Sequence, residues 1–404
     1  MDSALTPALR RRLGLPLLFL YGVGITVGAG IYVLIGAVAG HAGTAAPWAF
    51  ALAAAAMALT VGSYAELSTR FPVSAGEAAY VRAALNSRLA STAIGLLTMV
   101  IGIVASATVA LGSAGYIGQF VAWPKPLIVA GVLIGLGLVA AWGILESVLL
   151  ASLFTLIEVG GLVYIIAAGV ASGVSLAPVL APPPLEAHAL AGIGYAALLA
   201  FFAFIGFEDL ANVVEEAKVP HRDIPRAMVL TLIVTTVLYL AVAAIAVAAV
   251  PAADLARSPA PLALVLRTLT GASPLVISAI AIVATLNTIL AQLTMAARVI
   301  YGMARQGDLP ALFGHVHPKT ATPLVATGFI VAATLALALT VPFERLAEGT
   351  SLATLVVFAT VNFSLLRLRA RKAASPHPHA QVPLWVPAAG LATCLAMLAA
   401  ALLA

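Results

Sequence analysis

Charge is scarce in this chain of 404 residues: 9% are Asp, Glu, Lys or Arg and 63% are hydrophobic, where soluble domains carry roughly 25% charged residues. A water-soluble fold is excluded, and no room is left for a sizeable soluble domain through which a receptor or scaffold would signal. Cysteine is nearly absent. Cys394 alone sits in the last apolar run, so no disulfide forms within the chain and no polar neighbour activates a catalytic thiol. None of the seven histidines, His41, His188, His221, His315, His317, His377 and His379, lies inside an apolar run. His315 with His317 and His377 with His379 are read as solvated loop residues beside Pro and Lys, so no metal, cofactor or enzyme chemistry is expected. The net charge of +5 is spread over short basic clusters between apolar runs, which points to a membrane face and not to nucleic acid.

What the chain has is length of apolar run. Stretches of 17 or more residues fall near 14–39, 46–69, 89–122, 127–143, 147–171, 191–213, 227–250, 272–303, 323–341, 350–368 and 384–403. Each is long enough for a helix to cross about 30 Å of hydrocarbon. The alternative spanning architecture, a closed β-barrel, needs ten-residue alternation that is missing. The expectation is an all-α polytopic bundle of about eleven transmembrane helices. Arg10, Arg11 and Arg12 precede a first run too long for a signal peptide and lacking an Ala-x-Ala exit, so it reads as a permanent span. Pro178 to Pro184 and the 375–379 segment read as connectors. Counted by alternate loops, sixteen of the twenty Lys and Arg residues share the side of the N-terminus; only Lys125, Arg257, Arg267 and Arg345 fall opposite. Residues 1–13 are therefore expected in the cytoplasm and the C-terminus outside.

Acids within spans are functional candidates because burying them in lipid is costly. Glu158 lies near the centre of the fifth run, and Glu208 and Asp209 interrupt the sixth; a structural carboxyl bonded to a neighbouring helix is the plainer alternative for each. The first run holds Gly22, Gly24, Gly28, Gly30 and Gly36 around Thr26. That much glycine suits either a break in the helix or close packing through small residues. A second interruption at Ile205 to Asp209 comes five runs later, and paired breaks in two halves suggest inverted repeats. Free amides near Thr26 to Gly30 would suit a carboxylate, and free carbonyls near Phe202 to Ile205 an ammonium, so a zwitterion fits both.

Four motifs carry a family resemblance over essentially the whole chain. They are Gly24-Ile-Thr-Val-Gly-Ala-Gly-Ile-Tyr32, the stretch from Tyr64-Ala-Glu-Leu to Gly76-Glu77, Phe204-Ile-Gly-Phe-Glu-Asp209 with Glu215 to Arg226, and Arg298 to Pro310. Together they resemble the amino acid-polyamine-organocation superfamily of secondary transporters. The resemblance implies a leucine-transporter-type five-plus-five inverted-repeat core with discontinuous helices 1 and 6. The first repeat would span 14–171 and the second 191–369, with an additional helix at 384–404. It implies amino acids or related amines as substrates. Ile25, Thr26, Val27, Gly28 and Gly30 would receive the carboxylate, Phe202, Ala203, Phe204 and Ile205 would meet the amine, and Gln292 is a further pocket candidate.

Two departures stand out. Relatives usually carry twelve spans where eleven are read here, which leaves the oligomeric state open. Glu158, following the Gly143 to Ser147 stretch, falls where some proton-coupled relatives place a lysine, and a carboxylate there needs a proton or a metal cation for charge balance. Glu158 with Asn287 or Thr288 is the expected coupling site for H⁺ or Na⁺, Glu208 the second candidate, and Asp209 a cap for the half-helix after it. Proton-coupled symport of neutral or apolar amino acids is the leading expectation, with exchange or Na⁺ coupling as alternatives. No repeated filter motif favours a channel.

Overall fold

Every apolar run read from the sequence is occupied by helix. The computed structural model describes residues 13–73, 76–142, 148–183, 186–305, 307–317, 320, 322–372 and 381–403; Arg10 to Arg12, Gly143 to Ser147, Lys319 and the 375–379 segment lie outside them. In chain order the helices are α1 (Leu15–Val27), α2 (Gly30–Ala42), α3 (Ala46–Arg70), α4 (Gly76–Leu85), α5 (Arg88–Ile117), α6 (Lys125–Trp142), α7 (Val148–Ala171) and α8 (Ala177–Leu180). They continue as α9 (Ala187–Ala203), α10 (Pro220–Ala249), α11 (Ala252–Arg257), α12 (Pro261–Thr270), α13 (Leu275–Arg305), α14 (Leu324–Thr340), α15 (Phe343–Ala370) and α16 (Trp385–Leu403). Among the described residues eight helical stretches are long and apolar enough to cross a membrane, and three shorter apolar helices accompany them. One of the eight, Leu15–Arg70, has 56 residues; at about 1.5 Å per residue it is roughly 84 Å of helix, far more than one crossing. It turns back at Gly43–Ala45, where Gly43 takes φ 59°. The chain is a multi-pass membrane protein.

The four tryptophans lie at helix ends. Trp48, Trp123, Trp142 and Trp385 are exposed, each at or beside a helix terminus, as an amphipathic ring at the headgroup level requires. α6 and α7 expose Leu127, Ile134, Leu138, Leu153, Leu156 and Val163, while α2, α3 and α9 bury most of their residues.

The glycine cluster of the first run serves both purposes at once. The helix stops at Val27, turns through Gly28 and Ala29, and restarts at Gly30. The remaining glycines let neighbours close in: a Cβ on Gly30 would sit 2.6 Å from the Ala203 Cα, and one on Gly36 2.6 Å from the Leu255 carbonyl oxygen. The sixth run is also interrupted. α9 ends at Ala203, Phe204 to Gly206 form a turn, and a 3₁₀ turn continues the chain at Phe207–Ala211.

Helices α4, α8, α11 and α12 were not read from the sequence, because they are too short for a search for continuous apolar length, and α8 takes up the start of the connector expected from Pro178. α4 buries Glu77, Tyr80, Val81 and Ala84. Its C-terminal carbonyl at Ala84 accepts hydrogen bonds from Arg367 (3.0 Å) and Arg371 (3.2 Å) at the end of α15. Beside it Glu66 of α3 accepts from Arg369 and from the backbone N–H of Val382 at 3.0 Å, which ties α16 to the bundle.

Candidate functional site

The two interruptions meet. Besides the close approach of Gly30 to Ala203, a Cβ on Gly206 would lie 2.7 Å from Ile25 Cγ2 and 3.0 Å from the Thr26 nitrogen. Gly206 also takes φ 134°, a conformation in which a side chain is strained. Ile25, Thr26, Gly30 and Ala203 are thus brought together. Their peptide groups are less bare than the sequence suggested. The Gly28 N–H bonds to Gly24 O at 3.0 Å, and Phe202 O accepts from the Ile205 N–H at 3.1 Å. The carbonyls of Thr26 and Ala203 both face the hydroxyl of Tyr239, at 2.7 and 2.8 Å. The expectation of a continuous run of free groups is corrected accordingly: turns and a tyrosine satisfy several of them, as burial demands. Among the described residues no hydrogen bond reaches the carbonyls of Phe204 and Ile205. Val27, Phe202 and Phe204 are buried and supply apolar surface beside them.

Glu158 is fully buried on α7, and among the described residues neither carboxyl oxygen has a partner at hydrogen-bond geometry. Asn287 of α13 lies within interaction range of that carboxyl, short of hydrogen-bond geometry. Thr288, the next residue, bonds to Ala284 O at 3.1 Å and stands against the first break: a methyl on Gly28 would overlap its hydroxyl. One turn before Glu158, Thr155 donates to Leu20 O of α1 at 3.2 Å. On the other side the hydroxyl of Tyr32 donates to the backbone oxygen of Glu158 at 2.6 Å. Among the described residues the buried Thr26 hydroxyl has no partner. Glu158, Asn287, Thr288 and the Gly28 break therefore form one neighbourhood. Gln292, also on α13, is buried with its amide oxygen beside Gly102 of α5.

The acids of the second interruption are arranged differently from expectation. The carboxylate of Glu208, not that of Asp209, caps the break, accepting from the Gly206 N–H at 2.8 Å. Asp209 instead accepts from the Asn212 amide at 3.3 Å, and it lies within the 3₁₀ turn Phe207–Ala211, with no half-helix directly after it to cap. Glu77, delivered by α4, accepts from the Tyr64 hydroxyl at 2.9 Å and lies within electrostatic range of Glu208 and Asp209. Burial pushes Glu77 above the usual carboxylate range, with the Tyr64 hydrogen bond opposing it.

Sequence reasoning missed Glu77 and the tyrosines Tyr32, Tyr116 and Tyr239. A tyrosine inside an apolar span was available as a signal, since a buried phenol needs a hydrogen-bond partner.

Comparison with known proteins supplies the family. The amino acid permease family model matches residues 13–404. The chain is 29% identical over 390 residues to the branched-chain amino acid permease BcaP of Bacillus subtilis, covering 90% of this chain and 82% of that one. It is 31% identical over 364 residues to an uncharacterized transporter of Mycobacterium tuberculosis, 89% of this chain and 81% of that one. It is 29% identical over 404 residues to cationic amino acid transporter 4 of Homo sapiens, covering 93% of this chain but only 62% of that longer protein. With two meeting helix interruptions in a bundle of apolar helices, and a family match along nearly its whole length, this chain belongs to the amino acid permease family, whose members are transporters.

Proposed function

We propose that the chain is a secondary active transporter that moves neutral or apolar amino acids across the cytoplasmic membrane by alternating access, driven by proton symport. In this reading 14–171 and 191–369 are inverted repeats within eleven spans, 384–404 is an additional helix, and residues 1–13 face the cytoplasm. The substrate carboxylate would meet Ile25 to Gly28 and Gly30. Its amine would meet the open carbonyls of Phe204 and Ile205, and its side chain the apolar faces of Val27, Phe202 and Ala203. The branched-chain amino acids named for the Bacillus relative support an apolar side chain.

The observation that carries the reading is Glu158, fully buried with both carboxyl oxygens unpartnered among the described residues. A bare carboxylate at that depth is costly, so an arriving proton or monovalent cation is held there. Asn287 and Thr288 tie its occupancy to the geometry of the first break. In proteoliposomes the wild type should accumulate labelled leucine under an inward proton gradient. Glu158→Gln should keep leucine counterflow but lose gradient-driven accumulation. Uptake by Glu158→Gln with the same dependence on pH and Na⁺ as wild type would remove Glu158 from coupling, and accumulation driven by Na⁺ alone would reassign the ion. Counterflow itself separates a carrier from a channel.

A second reading is favoured by the acids Glu77, Glu208 and Asp209 beside the second break: a cationic substrate, or Glu208 as the proton carrier. Arginine uptake exceeding leucine uptake, abolished by Glu208→Gln, would select it. Thermal-shift measurements with the twenty amino acids and common polyamines rank the candidates, because a ligand of the folded state raises its stability.

A further inference from the structure

Four helix ends meet around a cavity of about 270 Å³ that no residue of either interruption lines. They are the end of α5, the start of α6, the end of α14 and the start of α15. The lining changes character with depth. Lys125, the first residue of α6, is its one charged residue. Val129 lies four residues further along α6 and Leu111 six residues inside the end of α5, about 6 and 9 Å from those ends at the helical rise per residue. Leu339, Val341 and Phe343 complete the apolar walls. Trp123, two residues before Lys125, is exposed, which suits this end of α6 to the headgroup level of a bilayer.

The charge of Lys125 is not answered within the protein. The acids at the start of α15 are engaged elsewhere: Glu344 faces His41 at 3.7 Å, and Glu348 accepts from Arg345 at 3.1 Å and from Tyr195 at 3.3 Å. Among the described residues no carboxylate pairs with Lys125. A soluble anion would answer the ammonium and leave the apolar walls unused, and a plain hydrocarbon would do the reverse. A molecule with an anionic head above a hydrocarbon tail matches both, and a bilayer presents such molecules at this depth. We propose that the cavity binds one anionic phospholipid, its phosphate on Lys125 and the upper part of one acyl chain against Leu111, Val129, Leu339, Val341 and Phe343. The lipid fills the space between four helix ends, so its binding stabilises the folded bundle.

The test titrates the delipidated full-length protein in detergent with dioleoyl phosphatidylglycerol, with dioleoyl phosphatidylcholine as the zwitterionic comparison. Native mass spectrometry counts the lipids bound, and thermal unfolding is followed in parallel. The wild type should hold one phosphatidylglycerol in preference to phosphatidylcholine and unfold at a higher temperature with it. Lys125→Gln should weaken that site about fivefold, the increment of one lysine near anionic lipid, and high salt should weaken the wild type in the same way. Val341→Phe adds a ring to the cavity wall and should weaken both lipids. Arg267→Gln removes an equal charge from α12, outside the cavity, and should leave the site unchanged.

Equal retention of phosphatidylglycerol by the wild type and Lys125→Gln overturns the proposal. So does an equal loss with Arg267→Gln, which would make the effect one of net charge, and so does equal affinity of the wild type for the two lipids. Displacement of the lipid by inorganic phosphate would assign Lys125 to a soluble anion instead. Dimers that vanish with Val341→Phe while lipid binding stays constant would give the cavity to a second copy of this chain. If Val341→Phe does not fold, Leu339→Trp replaces it at an exposed position of the wall, and unchanged lipid binding there also refutes the site. No transport measurement enters the test, so the proposed function and the lipid site fail separately.

Discussion

Gly206 is the position where the backbone leaves least choice. Its φ of 134° and the nearness of Ile25 predict that Gly206→Ala costs about 1–3 kcal/mol, read as a lowered unfolding temperature in detergent. Gly24 is constrained only by space, because its α-carbon faces the Thr155 hydroxyl across α1 and α7. Gly24→Ala should therefore be destabilising alone and partly rescued by Thr155→Ala, whereas no single partner deletion rescues Gly206→Ala. Glu77 supplies a pH prediction. Burial raises its pKa above the unfolded value, so the folded state binds this proton more tightly. The stability linked to it is full below the ordinary carboxylate range and is lost as pH rises through the folded pKa. Unfolding temperature should fall across that window in the wild type and fall less in Glu77→Gln, which keeps an acceptor for Tyr64. Equal pH profiles would refute this. At this scale the glycines, Glu158 and Glu208 were legible because charge and missing side chains are conspicuous in an apolar run. Tyr239 was not, since its hydroxyl acts on Thr26, 213 residues away.

Among elements, the breaks were legible and their satisfaction was not. A helix interior dense in glycine announces a discontinuity, yet which carbonyls it leaves open depends on turns such as Ile205 N–H to Phe202 O. The role of Asp209 failed for the same reason: which of two adjacent carboxylates reaches an amide is settled by local geometry, and Glu208 has it. The junction of α3, α15 and α16 turns on Glu66, which is buried and held by Arg369, Arg70 and the Val382 N–H. Arg369→Met leaves a buried carboxylate short of its main partner and should cost about 3–5 kcal/mol. Thermal unfolding in detergent measures it, and a loss below about 1 kcal/mol would show that Arg70 suffices.

For the whole molecule, the basic residues supply the test of orientation. Arg367, Arg369 and Arg371 gather with α4 and the end of α3, while Lys125 shares a cavity of about 270 Å³ with Phe343 at the start of α15. With the buried Cys394 replaced by serine, a membrane-impermeant maleimide applied to intact cells should label Lys125→Cys and Arg267→Cys but not Lys218→Cys. The reverse pattern would invert the topology. By itself the sequence determined that the chain lives in a bilayer as helices, where the runs lie, and which two of them are candidates for interruption. Hydrophobic length, charge cost and glycine content act locally and are written along the chain. Only the tertiary structure decided that the interruptions touch, that Asn287 comes near Glu158, and that one phenol serves two distant carbonyls. Those facts depend on distances between residues far apart in sequence, where no local pattern constrains the outcome.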